Sequence, residues 1–131
     1  MICLNSGKLS VKNDDMGTAV AGGILGFGSI ADITGCGNLG DVGVAAWRAI
    51  YLAGGIIGEI KEVNISNCFN IGSIRGSTAS GIVGETNGVI SNCFNLGTIS
   101  ALRRAGGILG EGHNLSFTSQ VSFATAIMLE E

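Results

Sequence analysis

The sequence predicts an all-β protein, a β-solenoid (parallel β-helix) of about four coils followed by a degenerate C-terminal half-coil. Three observations predict it. Two short phrases alternate along the chain, the positions they share keep a strand period, and glycine is abundant, at 23 of 131 residues, while proline is absent. The repetition is plainest in ISNCFNIGSIR at 65–75 and ISNCFNLGTIS at 90–100, twenty-five residues apart. Repeated units of this size stack so that each buries the face of the next.

The first phrase is glycine-rich and aliphatic: AGGILG at 21–26, AGGIIG at 53–58, SGIVG at 80–84 and AGGILG at 105–110. Its anchors are Ile24, Ile56, Ile82 and Ile108, with spacings of 32, 26 and 26. The second phrase is Cys-x-Asn-x-Gly-x-aliphatic, at Cys3-Asn5-Gly7-Leu9, Cys36-Asn38-Gly40-Val42, Cys68-Asn70-Gly72-Ile74 and Cys93-Asn95-Gly97-Ile99. Its shared positions fall at offsets 0, 2, 4 and 6, the period of a strand. Glycine in every repeat would weaken a helix but suits strands broken by corners. A coil of about 26 residues made of short strands, each pairing with the coil above, is a β-solenoid rising ~4.8 Å per coil.

From each anchor isoleucine to the next cysteine the chain runs 12, 12 and 11 residues, a nearly fixed path. From the last residue of the second phrase to the next isoleucine it runs 15, 14, 8 and 9, so length varies at one corner. VKNDDMGTAVAG and GVAAWRAIYLAG are therefore expected to be widened loops. The coils lie near 1–24, 24–56, 56–82 and 82–108 of a single domain, 1–131, with an atypical tail at 115–131. In that tail Gln120 takes the next cysteine position, with Ser122, Ala124 and Ala126 at the following offsets, and Phe117 matches Ile33, Ile65 and Ile90. Terminal repeats are atypical because they meet an open end. The tail is expected to fold across the C-terminal face.

The phrases GGILG, SGIVG and NCFNLGTI resemble the GLUG-type repeat, a glycine-aliphatic-glycine motif found in arrays on large bacterial surface and secreted proteins, including the non-catalytic part of some IgA-specific metallopeptidases. The resemblance covers roughly residues 2–110. It implies an extracellular or cell-surface array and supplies no catalytic residue; the wide first two loops and the tail depart from it.

Four groups of side chains invite a chemical reading. Cys3, Cys36, Cys68 and Cys93 hold one repeat position and are expected to form an inward ladder of free thiols, with disulfides and a metal site as the alternatives. Asn5, Asn38, Asn70 and Asn95 form a second ladder, in which stacked amides bond along the axis or each amide closes a turn within its own coil. Glu59, Glu85 and Glu111 share a register and form either a solvated stripe or a calcium-binding one. Asp14, Asp15, Trp47, Arg48 and Tyr51 collect in the wide loops, where Trp47 and Tyr51 offer faces for a sugar ring or pack on the coil. Phe69, Phe94, Ile71 and Leu96 alternate with the inward set, so they are expected to form an outward apolar stripe.

Several classes are excluded. A hydrophobic fraction of 46% against 13% charged argues against disorder. A net charge of −3 with seven scattered Lys and Arg leaves no footprint for nucleic acid. No segment is long and apolar enough for a membrane-spanning helix, and no signal peptide opens the chain, in which the second phrase begins within two residues of Met1. The lone His113 lacks a partnered nucleophile and GGILGFGS lacks the lysine of a phosphate loop. No catalytic residue, cofactor or metal is implied. The expectation is a structural or interaction module, a spacer, stalk or adhesive face that self-associates as a homo-oligomer or filament. A carbohydrate-binding or carbohydrate-acting β-helix is the alternative, with a glycan or host-surface ligand.

Overall fold

The computed structural model describes residues 3–12, 18–45, 51–112, 116–118, 121–122 and 126–128. The first coil runs through β1 (Leu4–Asn5), β2 (Leu9–Lys12), β3 (Ala19–Gly22) and β4 (Leu25–Thr34), and the second through β5 (Gly37–Asn38), β6 (Val42–Ala45), β7 (Tyr51–Gly54) and β8 (Ile57–Ser66). The third holds β9 (Phe69–Asn70), β10 (Ile74–Ser80) and β11 (Val83–Ser91). The fourth holds β12 (Phe94–Asn95), β13 (Ile99–Gly106), β14 (Leu109–Gly112) and β15 (Ser116–Thr118), after which β16 (Val121–Ser122) and β17 (Ala126–Met128) begin another turn. No helix occurs among the described residues.

Every strand pairs in parallel with its counterpart one coil away, which makes three sheets wrapped around one axis: a three-sided β-solenoid. The narrow sheet is β1-β5-β9-β12-β16, the long one β4-β8-β11 with β14 and β15, and the third carries β2-β6-β10-β13-β17 with β3 and β7. Register follows the phrases, with Asn5 opposite Asn38, Asn38 opposite Asn70 and Asn70 opposite Asn95. The anchor isoleucines form a main-chain ladder, Ile24 N–H donating to Ile56 O, Ile56 to Ile82 and Ile82 to Ile108.

Two expectations need correction. The wide loops are shorter than predicted: Ala19–Gly22 and Tyr51–Gly54 are strands, and β7 pairs with the second half of β10, whose first half pairs with β6. One continuous strand of the third coil thus stands where the second coil needs two. The described tail residues, 116–118, 121–122 and 126–128, do not fold across the end of the stack. They add in register, Phe117 opposite Ile90, Ser122 opposite Asn95 and Ala126 opposite Ile99, as their offsets foretell.

Three corners join the faces. The corner leading into the narrow sheet turns on left-handed backbone at Gly35 (φ 70°), Asn67 (φ 55°) and Asn92 (φ 50°), residue types that tolerate it. The Asn-x-Gly corner leaves that sheet, and the Gly-Gly-Ile corner enters the long sheet. Inside lie two apolar clusters, one built on Ile56, Ile57, Ile65, Ile82, Ile90 and the cysteines, the other on Val42, Tyr51, Ala53, Ala79 and Ile99.

Candidate functional site

The asparagines stand at the centre of the stack. Asn38, Asn70 and Asn95 are fully buried, and each uses both amide hydrogens or both lone pairs. Asn5 Nδ2 donates to Asn38 Oδ1 (2.8 Å), Asn38 Nδ2 to Asn70 Oδ1 (2.7 Å) and Asn70 Nδ2 to Asn95 Oδ1 (2.7 Å). The second Nδ2 hydrogen of Asn38 goes to Gly40 O (2.7 Å) and that of Asn70 to Gly72 O (2.8 Å). The axial ladder and the turn closure, alternatives on the sequence alone, coexist because a primary amide carries two N–H bonds.

The two phrases meet across the coil at this ladder. A Cβ on Gly55 would overlap Gly81 O and lie 2.7 Å from Asn70 Cγ, and one on Gly23 would lie 2.6 Å from Asn38 Oδ1. The second glycine of the Gly-Gly pair is therefore the surface on which the amide rests. The first glycine is replaced once, by Ser80, whose hydroxyl lies between two carbonyls, Val83 O (2.5 Å) and Ile108 O (2.9 Å), that share its one hydrogen. Sequence inspection missed this contact between phrases, although their strict alternation signalled it.

All four cysteines are free thiols, Cys36, Cys68 and Cys93 buried and Cys3 half-buried. Each buried thiol donates to the carbonyl two residues earlier at its corner: Cys36 to Thr34 O (3.5 Å), Cys68 to Ser66 O (3.3 Å), Cys93 to Ser91 O (3.2 Å). Burial pushes the Cys36 thiol up from its ordinary range. Cys68 is pushed up first by the neighbouring Cys93 side chain and then by burial, and the same neighbour contact lowers Cys93. Ellman's reagent is expected to label at most Cys3 readily in the native protein and all four thiols in denaturant; two or fewer in the denatured, unreduced protein would mean disulfides.

Outward of the ladder runs an apolar ridge. Ile71, Leu96 and Phe94 are exposed, with Leu4 and Leu39 continuing the row, while Phe69 is half-buried and stacks on Phe94 at 5.4 Å with its ring over Gly37. Of the two readings of Tyr51, a face for a sugar ring or packing on the coil, the structure shows packing. Tyr51 is 1% exposed inside the second cluster, with no partner for its hydroxyl among the described residues, so it offers no face to a ligand. It lies in β7, opposite Ala19 of β3 and within the apolar cluster that holds Ala53 and Ala79. Trp47, Arg48, Asp14, Asp15 and His113 lie outside the described residues.

On the long sheet Phe27, Glu59, Glu85 and Glu111 share one register, as the spacing of the phrases requires. Two open grooves cross this face. One of about 480 Å³ is lined by Ile30, Asp32, Glu62, Asn64 and Val89, the other of about 280 Å³ by Phe27, Glu59, Lys61 and Glu85. Among the described residues no cluster of three His, Cys, Asp or Glu side chains is placed to hold a metal ion, and no helix is long and apolar enough to cross a membrane. No family model, curated protein or solved structure matches the chain. The chemistry of the interior is therefore its own guide: amides, thiols and the Ser80 hydroxyl bond to the stack itself.

Proposed function

We propose that this chain is a structural and interaction module, a rigid spacer or stalk segment that associates with copies of itself. The observation that supports the reading most is the Asn ladder: its buried amides spend their hydrogen bonds on holding one coil to the next. The ridge of Leu39, Ile71, Phe94 and Leu96 adds an exposed apolar line along the axis. A place on a bacterial surface or in a secreted array follows only from the GLUG-type resemblance of the phrases, and is part of the proposal. Enzymatic action is not proposed. The glycan-binding alternative loses Tyr51, one of its two aromatic platforms, to the core.

Sedimentation velocity over a wide concentration range tests the reading. Self-association that rises with concentration, with no signal on a glycan array, is the expected result. A monomer at every concentration together with selective glycan binding would replace it.

A further inference from the structure

The charges of the stack sort by side. Among the described side chains the long sheet carries Asp32, Glu59, Glu62 and Glu85 against Lys61, four acids less one lysine, a net of −3. The third sheet carries Arg75, Arg103 and Arg104 with no acid beside them, a net of +3. The strands of the narrow sheet carry no charge, and Lys8 and Asp41 offset each other at the Asn-x-Gly corner. The described part of the stack thus has an acidic side, a basic side and an apolar one.

A break in register aims the charges on both charged sides. In β13 the pairing steps from Ala101 opposite Gly76 to Arg104 opposite Thr78, so β13 holds one residue more than β10. A regular strand exposes alternate residues, but at this bulge Leu102, Arg103 and Arg104 are exposed in succession. Arg75, exposed on the neighbouring β10, completes the basic side. In β8 the pairing steps from Ile60 opposite Thr86 to Glu62 opposite Asn87, and Lys61 and Glu62 are exposed together.

The grooves of the acidic side flank that second bulge. The larger, of about 480 Å³, is lined by Asp32 and Glu62 with no Lys or Arg among its lining residues, and by the exposed Ile30 and Val89. The basic side offers the converse, arginines around the exposed Leu102. A guanidinium matches a carboxylate in fork geometry, and Leu102 matches the aliphatic pair in the groove.

We propose that the basic side of one copy docks on the acidic side of another, with Arg75 and Arg103 paired to Asp32 and Glu62 and with Leu102 against Ile30 and Val89. This docking rests on the self-associating reading above and gives it a surface other than the apolar ridge. A two-fold contact centred on either side would oppose like charges, so the contact is heterologous. It joins copies side by side, in a ring where the rotation closes and in an open array where it does not.

Sedimentation velocity of the full chain at ~0.1 M and ~1 M NaCl tests it first. The Debye length falls from about 10 Å to about 3 Å over that range, so association is expected to weaken roughly tenfold or more. Association that holds or tightens in high salt would place the contact on the apolar ridge and overturn the proposal. Two charge-reversed chains test it again: Arg75→Glu/Arg103→Glu leaves two acidic sides, and Asp32→Lys/Glu62→Lys leaves two basic ones. Each alone is expected to be monomeric at ~0.1 M NaCl, and an equal mixture of the two is expected to associate, a rescue that misfolded chains could not give. Reversed chains that assemble alone as the wild type does would overturn the docking and leave self-association standing, and folded reversed chains that stay monomeric in the mixture would overturn it too. Should either variant lose its β-type circular dichroism, the salt response of the wild type decides alone. A wild type that is monomeric at every concentration and salt would defeat the self-associating reading itself, and the docking with it.

Discussion

Asn70→Leu is expected to destabilise the protein by about 3–6 kcal/mol, against about 1–3 kcal/mol for Asn5→Leu. Asn70 is 0% exposed and takes part in three side-chain hydrogen bonds: it accepts from Asn38 and donates to Asn95 and to Gly72 O. Leucine has similar size but returns none of them. One Asn38 hydrogen and the Gly72 carbonyl are left unpaired in the interior, and Asn95 Oδ1 keeps only the Gly97 N–H (3.0 Å). An orphaned buried polar group costs ~1–3 kcal/mol, whereas a completed hydrogen bond contributes ~1 kcal/mol net. At Asn5, on the first rung, the Gly7 groups left behind are exposed and only one buried acceptor, Asn38 Oδ1, loses its partner. Urea midpoints of the two variants measure the difference; equal losses would mean that the ladder is not a buried, cooperative unit.

Gly55→Ala should be as damaging as the loss of a ladder amide, ~3 kcal/mol or more, while Gly43→Ala should change stability by less than about 1 kcal/mol. The added methyl at 55 meets the Gly81 carbonyl on one side and Asn70 Cγ on the other, so neither a rotamer change nor a surface shift relieves it. At 43 the same methyl has nothing within 4 Å. Thermal melting of the two variants checks the pair. Near-equal melting temperatures would contradict the packing of the Gly-Gly corner on the amide ladder.

The architecture was legible because register needs only periodicity. The offsets of Cys, Asn and Gly placed the tail residues Phe117, Ser122 and Ala126 opposite Ile90, Asn95 and Ile99, as the strand pairs show. Strands β3 and β7 were hidden for a physical reason. Their sequences, AVAG and YLAG, are apolar on both faces, so they lack the alternation that marks a half-exposed strand. The same enclosure took Tyr51 from the list of ligand platforms. The dual bonding of the asparagines was illegible because spacing shows that amides align but not where their second hydrogens go. The reach of the Gly-Gly corner to Asn70 and Asn38 joins residues on opposite walls of the coil, a distance no local pattern encodes.

Ile74 and Thr78 lie four residues apart in one strand, yet their partners in the coil before, Val42 and Leu52, lie ten apart. The pairs on either side keep their register although the second coil is longer there than the third. Any length of chain inserted between positions 45 and 51 therefore has the same licence, and so, one coil earlier, does any length between 12 and 19. Such a scaffold offers two neighbouring ports, stacked a strand spacing apart, through which a guest peptide or a small domain is displayed in fixed order along the axis. The corners at Asn67 and Asn92 offer no such freedom, since a single added residue there would move each cysteine and asparagine that follows off its rung.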